Sequence, residues 1–371
     1  MRIDKLRLQN FRNYTEQEIA FSPESNVIVG ENAQGKTNLL EAITYLSCGR
    51  SVRARSDREL LRFGESEARI VGEVRSRARD FLVDARLFAG KRRKITINQV
   101  PVKRASELSG VLGTVFFCPE DLQLIRDGAA ARRRFLDQSL CQLRPRYADA
   151  LAEYNRLYEH KTRILRDCEE HPALLDTLPE FNSRMALCGA ALIRYRARYC
   201  ARLAEYAAAA HGECSGGKER LTLRYETVSS VSDPFAEQGV LVEQLLAHQR
   251  AHAQAERASR LCLSGPHKDD VVVEIGGENA RQYSSQGQTR TAALAFKLAE
   301  REIYKEVTGQ APVLLLDDVL SELDPRRQSF VLNRIGGGQV FITCCEEDRL
   351  GCLTAGKVLR VEGGAVRDTG E

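Results

Sequence analysis

The segment Gly30-Glu31-Asn32-Ala33-Gln34-Gly35-Lys36-Thr37 fits the pattern G-x-x-x-x-G-K-[ST]. It lies between an apolar stretch, Ser25 to Val29, and a stretch of helical period from Leu39 to Ser47. In that context the two glycines let backbone N–H groups wrap a phosphate chain and the helix N-terminus adds positive potential. The lysine brings a point charge, and the hydroxyl can ligate a divalent cation. Such a loop also needs an acidic centre to hold the cation and orient an attacking water. Leu314-Leu315-Leu316-Asp317-Asp318 supplies one: an apolar run suited to a buried strand, with two carboxylates at the end where open α/β sheets bind ligands. On this reading Lys36, Asp317 and Asp318 are the catalytic set. Thr37 and Asp317 hold the metal, Asp317 through water, and Asp318 orients or deprotonates the attacking water. About 280 residues separate Thr37 from Asp317. One β-α-β unit takes a small fraction of that, so the two halves of the site come from opposite chain ends with a large module inserted between them.

The interval has a readable internal order. Alternating segments recur between Ile70 and Ile97, including Phe81 to Phe88 and Lys94 to Asn98 with Gly90-Lys91 as a turn, and predict a β-rich lobe. From Ala129 to Ala210 the chain is rich in Ala, Leu, Arg and Glu at helical period. A break near Cys168 to Pro179 and an end at His211 to Gly217 predict an antiparallel helical arm. Leu221 to Tyr225 reads as a returning strand and Leu241 to Leu261 as a further helix. Asp270 to Ile275 is expected to re-enter the β-lobe, turning at Gly276-Gly277. The predicted division is therefore an α/β head built from 1–117 and 262–371, with a mostly helical arm, 118–261, inserted in it. Thr289 to Glu306 predicts an amphipathic helix with Ala293, Phe296, Leu298 and Ile303 toward one side. The small-residue turn Ser284-Ser285-Gln286-Gly287-Gln288 feeds its N-terminus, a natural anion site.

Composition narrows the class. With 43% hydrophobic and 29% charged residues the chain is of ordinary globular type, and its apolar runs fall far short of the roughly 18 residues of a spanning helix. No membrane association is expected. Eleven cysteines with no C-x-x-C pair argue against a disulfide framework and fit reduced thiols in a cytoplasm. The net charge is only +4, but the cations are 44 arginines against 11 lysines. Arg50, Arg53, Arg55 and Arg58, then Arg75, Arg77 and Arg79, then Lys91 to Lys94, and Arg132 to Arg134, are clusters of which some should face phosphates. Few aromatics interleave with them, so duplex backbone binding is expected over base stacking. His248 and His252 stand four apart but lack the glutamate of a metalloprotease motif, and Cys344-Cys345 reads as strand-end packing.

The set Gly30–Thr37, Ser284–Gln288, Leu314–Asp318 and Ser321-Glu322-Leu323-Asp324 resembles the ABC-type ATPase heads of the structural-maintenance and double-strand-break-repair class. Asn10 to Tyr14, Pro119 to Leu122, Arg132 to Asp137, Gly265 to Asp270 and Tyr283 to Gln288 narrow the likeness to the RecF family of bacterial recombination mediators, over essentially the whole chain. The resemblance implies an ABC-type P-loop ATPase head with an inserted helical lobe, using ATP and Mg²⁺. It implies a cytoplasmic DNA-binding protein that dimerises when ATP is bound, acts on duplex, gapped or junction DNA in repair, replication and the SOS response, and works with mediators such as RecR.

The resemblance also carries site roles. Gly30, Glu31, Asn32, Ala33, Gln34, Gly35, Lys36, Thr37 and Asn38 would hold ATP. Arg12 would contact nucleotide phosphate near the base. Ser285, Gly287 and Gln288 would reach the γ-phosphate held by the opposite subunit, with Asp324 at the dimer seam. Three departures matter. The signature reads Ser284-Ser285-Gln286-Gly287-Gln288 where transporters usually carry Leu-Ser-Gly-Gly-Gln. The second strand carboxylate is Asp318 where most such ATPases carry glutamate, which implies slow hydrolysis; the resemblance implies that DNA stimulates it. Thr343-Cys344-Cys345 stands where transporters carry a switch histidine, leaving the γ-phosphate sensor there open. The rival readings are a scaffold that binds ATP without turnover, a transporter ATPase subunit and a small-molecule kinase.

Overall fold

The computed structural model describes residues 1–345 and 356–368. In chain order the first elements are β1 (Arg2–Phe11), β2 (Tyr14–Ala20), β3 (Ser25–Val29), α1 (Lys36–Cys48), β4 (Glu67–Arg75), β5 (Asp80–Phe88), β6 (Lys94–Ile97), β7 (Val100–Pro101) and β8 (Thr114–Phe117). There follow α2 (Ala129–Leu143), α3 (Pro145–Asp167), α4 (Leu178–Ser215), β9 (Leu221–Glu226), α5 (Gln238–Ser259), β10 (Asp270–Ile275), β11 (Glu278–Asn279) and α6 (Ala280–Tyr283). The chain closes with α7 (Gln286–Thr308), β12 (Val313–Leu316), α8 (Pro325–Leu332), β13 (Val340–Cys344), β14 (Gly356–Glu362) and β15 (Ala365–Asp368). Two units result, Met1–Gln123 with Ala293–Glu371, and Leu124–Ala292.

The first unit holds two six-stranded sheets of different chemistry. In one, ordered β2-β1-β4-β5-β6-β7, the strands are antiparallel, and β4 and β5 alternate buried and more exposed residues as a sheet with one covered face must. The other is ordered β15-β14-β3-β13-β12-β8, with parallel pairing from β14 through β8. Its strands β3 and β12 are buried at every residue, as parallel strands covered on both faces require. Ile3, Leu6, Ile43, Leu46, Ile70, Val83, Phe341 and Val361 belong to one core that joins both sheets to α1. Gln339 is a polar joint within it. Its amide donates to the Ile3 and Ser22 carbonyls, each at 2.8 Å, and its oxygen accepts the Ile3 N–H at 2.8 Å.

The helix expected to be one-sided is buried all round from Ala293 to Arg301. Its charges are answered internally. Lys297 Nζ lies 2.9 Å from Glu300 and 3.9 Å from Asp121, and Arg301 donates to the carbonyls of Arg334, Ile335 and Gly336.

The second unit is not helical alone, and three sequence expectations are corrected by it. Strand β10 does not rejoin the head sheets. It pairs with β9 on one side and β11 on the other in a separate three-stranded antiparallel sheet. Residues 262–292, assigned to the head on sequence, therefore fall in the second unit, which begins at Leu124 rather than at 118. Arg132 is not free to meet phosphates, and Arg133 is partly engaged. Arg132 is buried and forks onto Asp270 at 2.7 and 2.9 Å, while Arg133 donates to the Asp269 carbonyl at 2.5 Å. The buried Arg196 on α4 binds Asp137 at 2.8 Å, Asp269 at 3.0 Å and the Pro266 carbonyl at 2.7 Å.

His267 is part of this packing. Its Nδ1 meets the Tyr154 hydroxyl at 2.7 Å and its Nε2 the Cys262 carbonyl at 2.9 Å; burial lowers its pKa from 6.5 to about 4. Between those values the unfolded chain binds the extra proton, so stability supplied by the neutral ring is present above pH 6.5 and lost as pH falls toward 4. Unfolding free energy should drop by about 2 kcal/mol between pH 7 and pH 5 from this group. Urea midpoints at the two pH values should converge in His267→Gln, which cannot ionise.

Candidate functional site

The phosphate loop folds as its glycines demand. Gly30 follows β3 where β14 runs alongside, and a Cβ there would stand 2.4 Å from the Val361 carbonyl oxygen. Gly35 has φ 121°, and a Cβ would press on Asn13 and the Tyr14 hydroxyl. Ala33 takes φ 65°, so the backbone curls between the two glycines. The β1–β2 hairpin grips the loop from outside: Tyr14 donates to Gly35 O at 3.0 Å, and Asn13 donates to Gln34 O at 2.7 Å while accepting from Asn38 at 2.9 Å. Lys36 is buried and turned back on the loop, with Nζ 2.7 Å from Gly30 O and 3.1 Å from Glu31 O.

The acidic centre meets the loop because β13 sits between β3 and β12 in the parallel sheet. Thr37 Oγ1 donates to Asp317 Oδ1 at 2.9 Å, closing the gap between the chain halves. Thr343, at the end of β13, donates to the same oxygen at 3.0 Å and accepts the Asp318 N–H at 2.8 Å. Burial raises the Asp317 pKa above the usual carboxylate value; the Thr37 and Thr343 hydrogen bonds oppose this and the charge of Asp318 adds to it. Asp318 has φ 51°, and its Oδ2 lies 4.0 Å from Lys36 Nζ. With its proton on Asp317, the Thr37 hydroxyl keeps lone pairs for a cation. A hydroxyl and a partly desolvated carboxylate are hard oxygen donors, which fits Mg²⁺.

The family model of the RecF/RecN/SMC N terminal domain matches residues 2–361. The DNA replication and repair protein RecF of Agathobacter rectalis is 41% identical over 346 residues, 93% of this chain and 92% of that protein.

The chain belongs to the RecF family.

A solved structure of the recombination mediator protein RecF-ATP in the RecFOR pathway superposes with a TM-score of 0.91 at 34% identity, over 99% of this chain and 97% of that one. A Pyrococcus furiosus Smc head domain shares the fold, with a TM-score of 0.57 at 17% identity over 99% of this chain and 95% of that one. The architecture is the ABC-type ATPase head, with the loop, the β12 acids and the hairpin residue Arg12 all in the first unit.

Arg12 shows how this RecF-family site is braced. It takes φ 53° at the hairpin turn and forks onto Glu41 of α1 at 2.9 and 3.0 Å, with a third bond to Glu59 O at 2.8 Å. Glu41 is fully buried, and it also receives the Ser51 hydroxyl, whose oxygen caps the Arg53 and Ala54 N–H groups. One carboxylate thus fixes Arg12 and the start of the loop bearing the exposed Arg53, Arg55 and Arg58. Glu41 escaped sequence reasoning, although an acid inside Leu39 to Leu46, otherwise almost wholly apolar, was its signal. Thr343 has no comparable signal in the sequence.

Ser285, Gly287 and Gln288 belong to the second unit. Ser285 and Gln288 form a reciprocal cap on α7: Ser285 N–H donates to Gln288 Oε1 at 2.7 Å, and Gln288 N–H to Ser285 Oγ at 3.2 Å. Ser285 is exposed, and Gln288 also donates to Glu219 at 2.7 Å. Asp324 caps α8 through the Arg326 and Arg327 N–H groups.

Of the sites set aside on sequence, the histidine pair stays apart from this chemistry and Cys345 does not. His248 and His252 stack at 4.0 Å, His248 against Ser264, and among the described residues no group of three or more His, Cys, Asp or Glu forms a metal cluster. The described cysteines are free thiols. The exposed Cys345 lies 3.7 Å from Lys36 Nζ and donates to Asn32 Oδ1 at 3.1 Å, so it borders the loop rather than packing under the strand.

Replacing Glu41 with Gln should cost about 1–3 kcal/mol, because the Arg12 fork then faces a neutral amide that repels one of its N–H groups. Thermal denaturation of Glu41→Gln checks this, with Glu18→Gln on the exposed face of β2 as the near-neutral comparison.

Proposed function

We propose that the protein is an ATP-gated DNA clamp of recombinational repair and replication. Two subunits sandwich two ATP molecules, close over DNA, and reopen on slow hydrolysis, assisting recombinase loading at gaps and the SOS response. The observation that carries this is the division of labour between the units. One holds a complete phosphate loop with its acidic centre, and the other presents an exposed, capped helix N-terminus with Ser285 at its tip, the counterpart needed by a second subunit's nucleotide. The roles of the RecF relatives in DNA replication, repair and the RecFOR pathway support DNA as the ligand, RecR-type mediators as partners and the cytoplasm as the place of work.

In the proposed chemistry the loop N–H groups and Lys36 bind and orient the phosphates, and Arg12 adds charge toward the nucleotide. Thr37 and Asp317 would hold Mg²⁺, which when bound neutralises charge on the phosphate oxygens. Asp318 orients the attacking water and takes its proton. An aspartate reaches one methylene less than glutamate, which favours slow turnover and a long-lived closed state. The exposed Arg50, Arg53, Arg55, Arg58, Arg75, Arg77, Arg79, Lys91 to Lys94 and Arg134 are among the cations available to DNA phosphates, unlike the buried Arg132.

Light scattering with Mg·ATP should show a dimer for the wild-type protein and a monomer for Ser285→Arg, which should still bind nucleotide. Lys36→Arg should lose stable nucleotide binding or hydrolysis. A protein that stays monomeric at saturating Mg·ATP with gapped duplex DNA overturns the clamp. Phosphate release with and without duplex DNA separates the clamp, which turns over faster on DNA, from a non-hydrolysing scaffold. Affinity for duplex DNA should fall steeply between 50 and 200 mM salt, by about 10³-fold if six phosphates are neutralised.

A further inference from the structure

The Thr343 side chain is buried, 1% exposed, and both of its hydrogen bonds go to the two acidic residues of the site. A threonine hydroxyl has one proton to give. Here that proton goes to Asp317 Oδ1 at 3.0 Å, and the oxygen in turn accepts the Asp318 N–H at 2.8 Å. Asp318 is in the left-handed region at φ 51°, a conformation that costs a non-glycine residue free energy and needs something to hold it. Asp317 Oδ1 also takes the Thr37 proton at 2.9 Å, which leaves its Oδ2 without a hydrogen bond among the described residues. Two hydroxyls, from the phosphate loop and from the neighbouring strand, therefore fix one carboxylate oxygen. One of them also fixes the backbone turn that aims Asp318 toward Lys36, 4.0 Å away.

We propose that Thr343 is a positioning residue for hydrolysis: through one hydroxyl it sets the rotation of Asp317 for the cation and the left-handed turn of Asp318 for the attacking water. The assignment rests on the ATPase reading above. It also gives the end of β13 a task in a chain that has Thr343-Cys344-Cys345 where transporters carry a histidine. The Thr343 hydroxyl bonds to Asp317 and to the Asp318 backbone, so its effect passes through the two aspartates.

The test compares Thr343→Val, close in shape without the hydroxyl, with Thr343→Ser, which keeps it, and with Thr343→Ala should the valine variant not fold. Three readouts are taken on the full chain: binding of a fluorescent ATP analogue without Mg²⁺, the Mg²⁺ concentration that half-saturates binding and turnover, and hydrogen exchange at the Asp318 amide of the nucleotide-free protein. Thr343→Val or Thr343→Ala should bind the analogue within about threefold of wild type without Mg²⁺, because Lys36 and the loop are intact. It should need at least tenfold more Mg²⁺, turn over at least tenfold more slowly at saturation with little change in KM, and exchange the Asp318 amide at least tenfold faster. Thr343→Ser should return all three to within about threefold. A folded valine or alanine variant with wild-type Mg²⁺ dependence and amide protection overturns the assignment, as does a serine variant no better than valine. If wild-type protein binds ATP but releases no phosphate, the ATPase reading fails by itself, and the Mg²⁺ dependence of binding with the amide exchange still decides the role of Thr343.

Discussion

A single oxygen atom, Asp317 Oδ1, organises the nucleotide half of this molecule. It takes hydroxyl protons from Thr37 and Thr343, and so ties the helix after β3, the end of β12 and the end of β13 into one cluster. The tie is possible only because β13 inserts between two strands that are far apart in sequence. A carboxylate that has lost water to burial cannot be left without donors, since an unmet charged oxygen costs several kcal/mol. The same requirement makes the arrangement specific, because no other register of β12 against β13 puts the Thr343 hydroxyl beside it.

Buried ion pairs brace both units in the same manner. Glu41 clamps Arg12 in the first unit, and Asp137 with Asp269 clamps Arg196 in the second. Such pairs contribute little net stability compared with apolar packing, but a misplaced element would strand a charge, so they select one geometry over near alternatives. In the first unit this geometry fixes Arg12 in the hairpin that grips the phosphate loop. In the second it orients the segment Pro266 to Asp270, whose carbonyls and carboxylates are consumed by Arg196, Arg132 and Arg133 and are therefore structural.

What the sequence made legible was local. The glycine spacing of 30–37, the apolar runs 25–29 and 314–316 with their acids, and the alternation of 81–88 each carry their meaning within a few residues. What it hid was which distant partner a segment meets. Alternation in Asp270 to Ile275 says that one face is buried but not against which sheet, and β9 as partner follows only from the fold. The triplet Arg132 to Arg134 looks solvated as a string of charges, yet helical period turns Arg132 inward onto Asp270. In α7, all-round burial was masked by Lys297, Glu300 and Arg301: the first two pair with each other along the helix, with Asp121 3.9 Å from Lys297, and Arg301 is met from elsewhere by the carbonyls of Arg334, Ile335 and Gly336. Thr343 reads as an ordinary strand residue until the neighbouring strand is known.

The strand order has a consequence for biosynthesis. In the parallel sheet β3 has β13 and β14 as its two neighbours, both made from the last tenth or so of the chain, and Gln339 reaches back 336 residues to clasp the backbone of Ile3. Until the ribosome has released those segments the loop-bearing strand has nothing to lie against, and the most non-local pairings are also the slowest to form. A nascent chain thus passes most of its synthesis with no finished seat for a nucleotide. Truncated translation products would be blind to ATP rather than half-active.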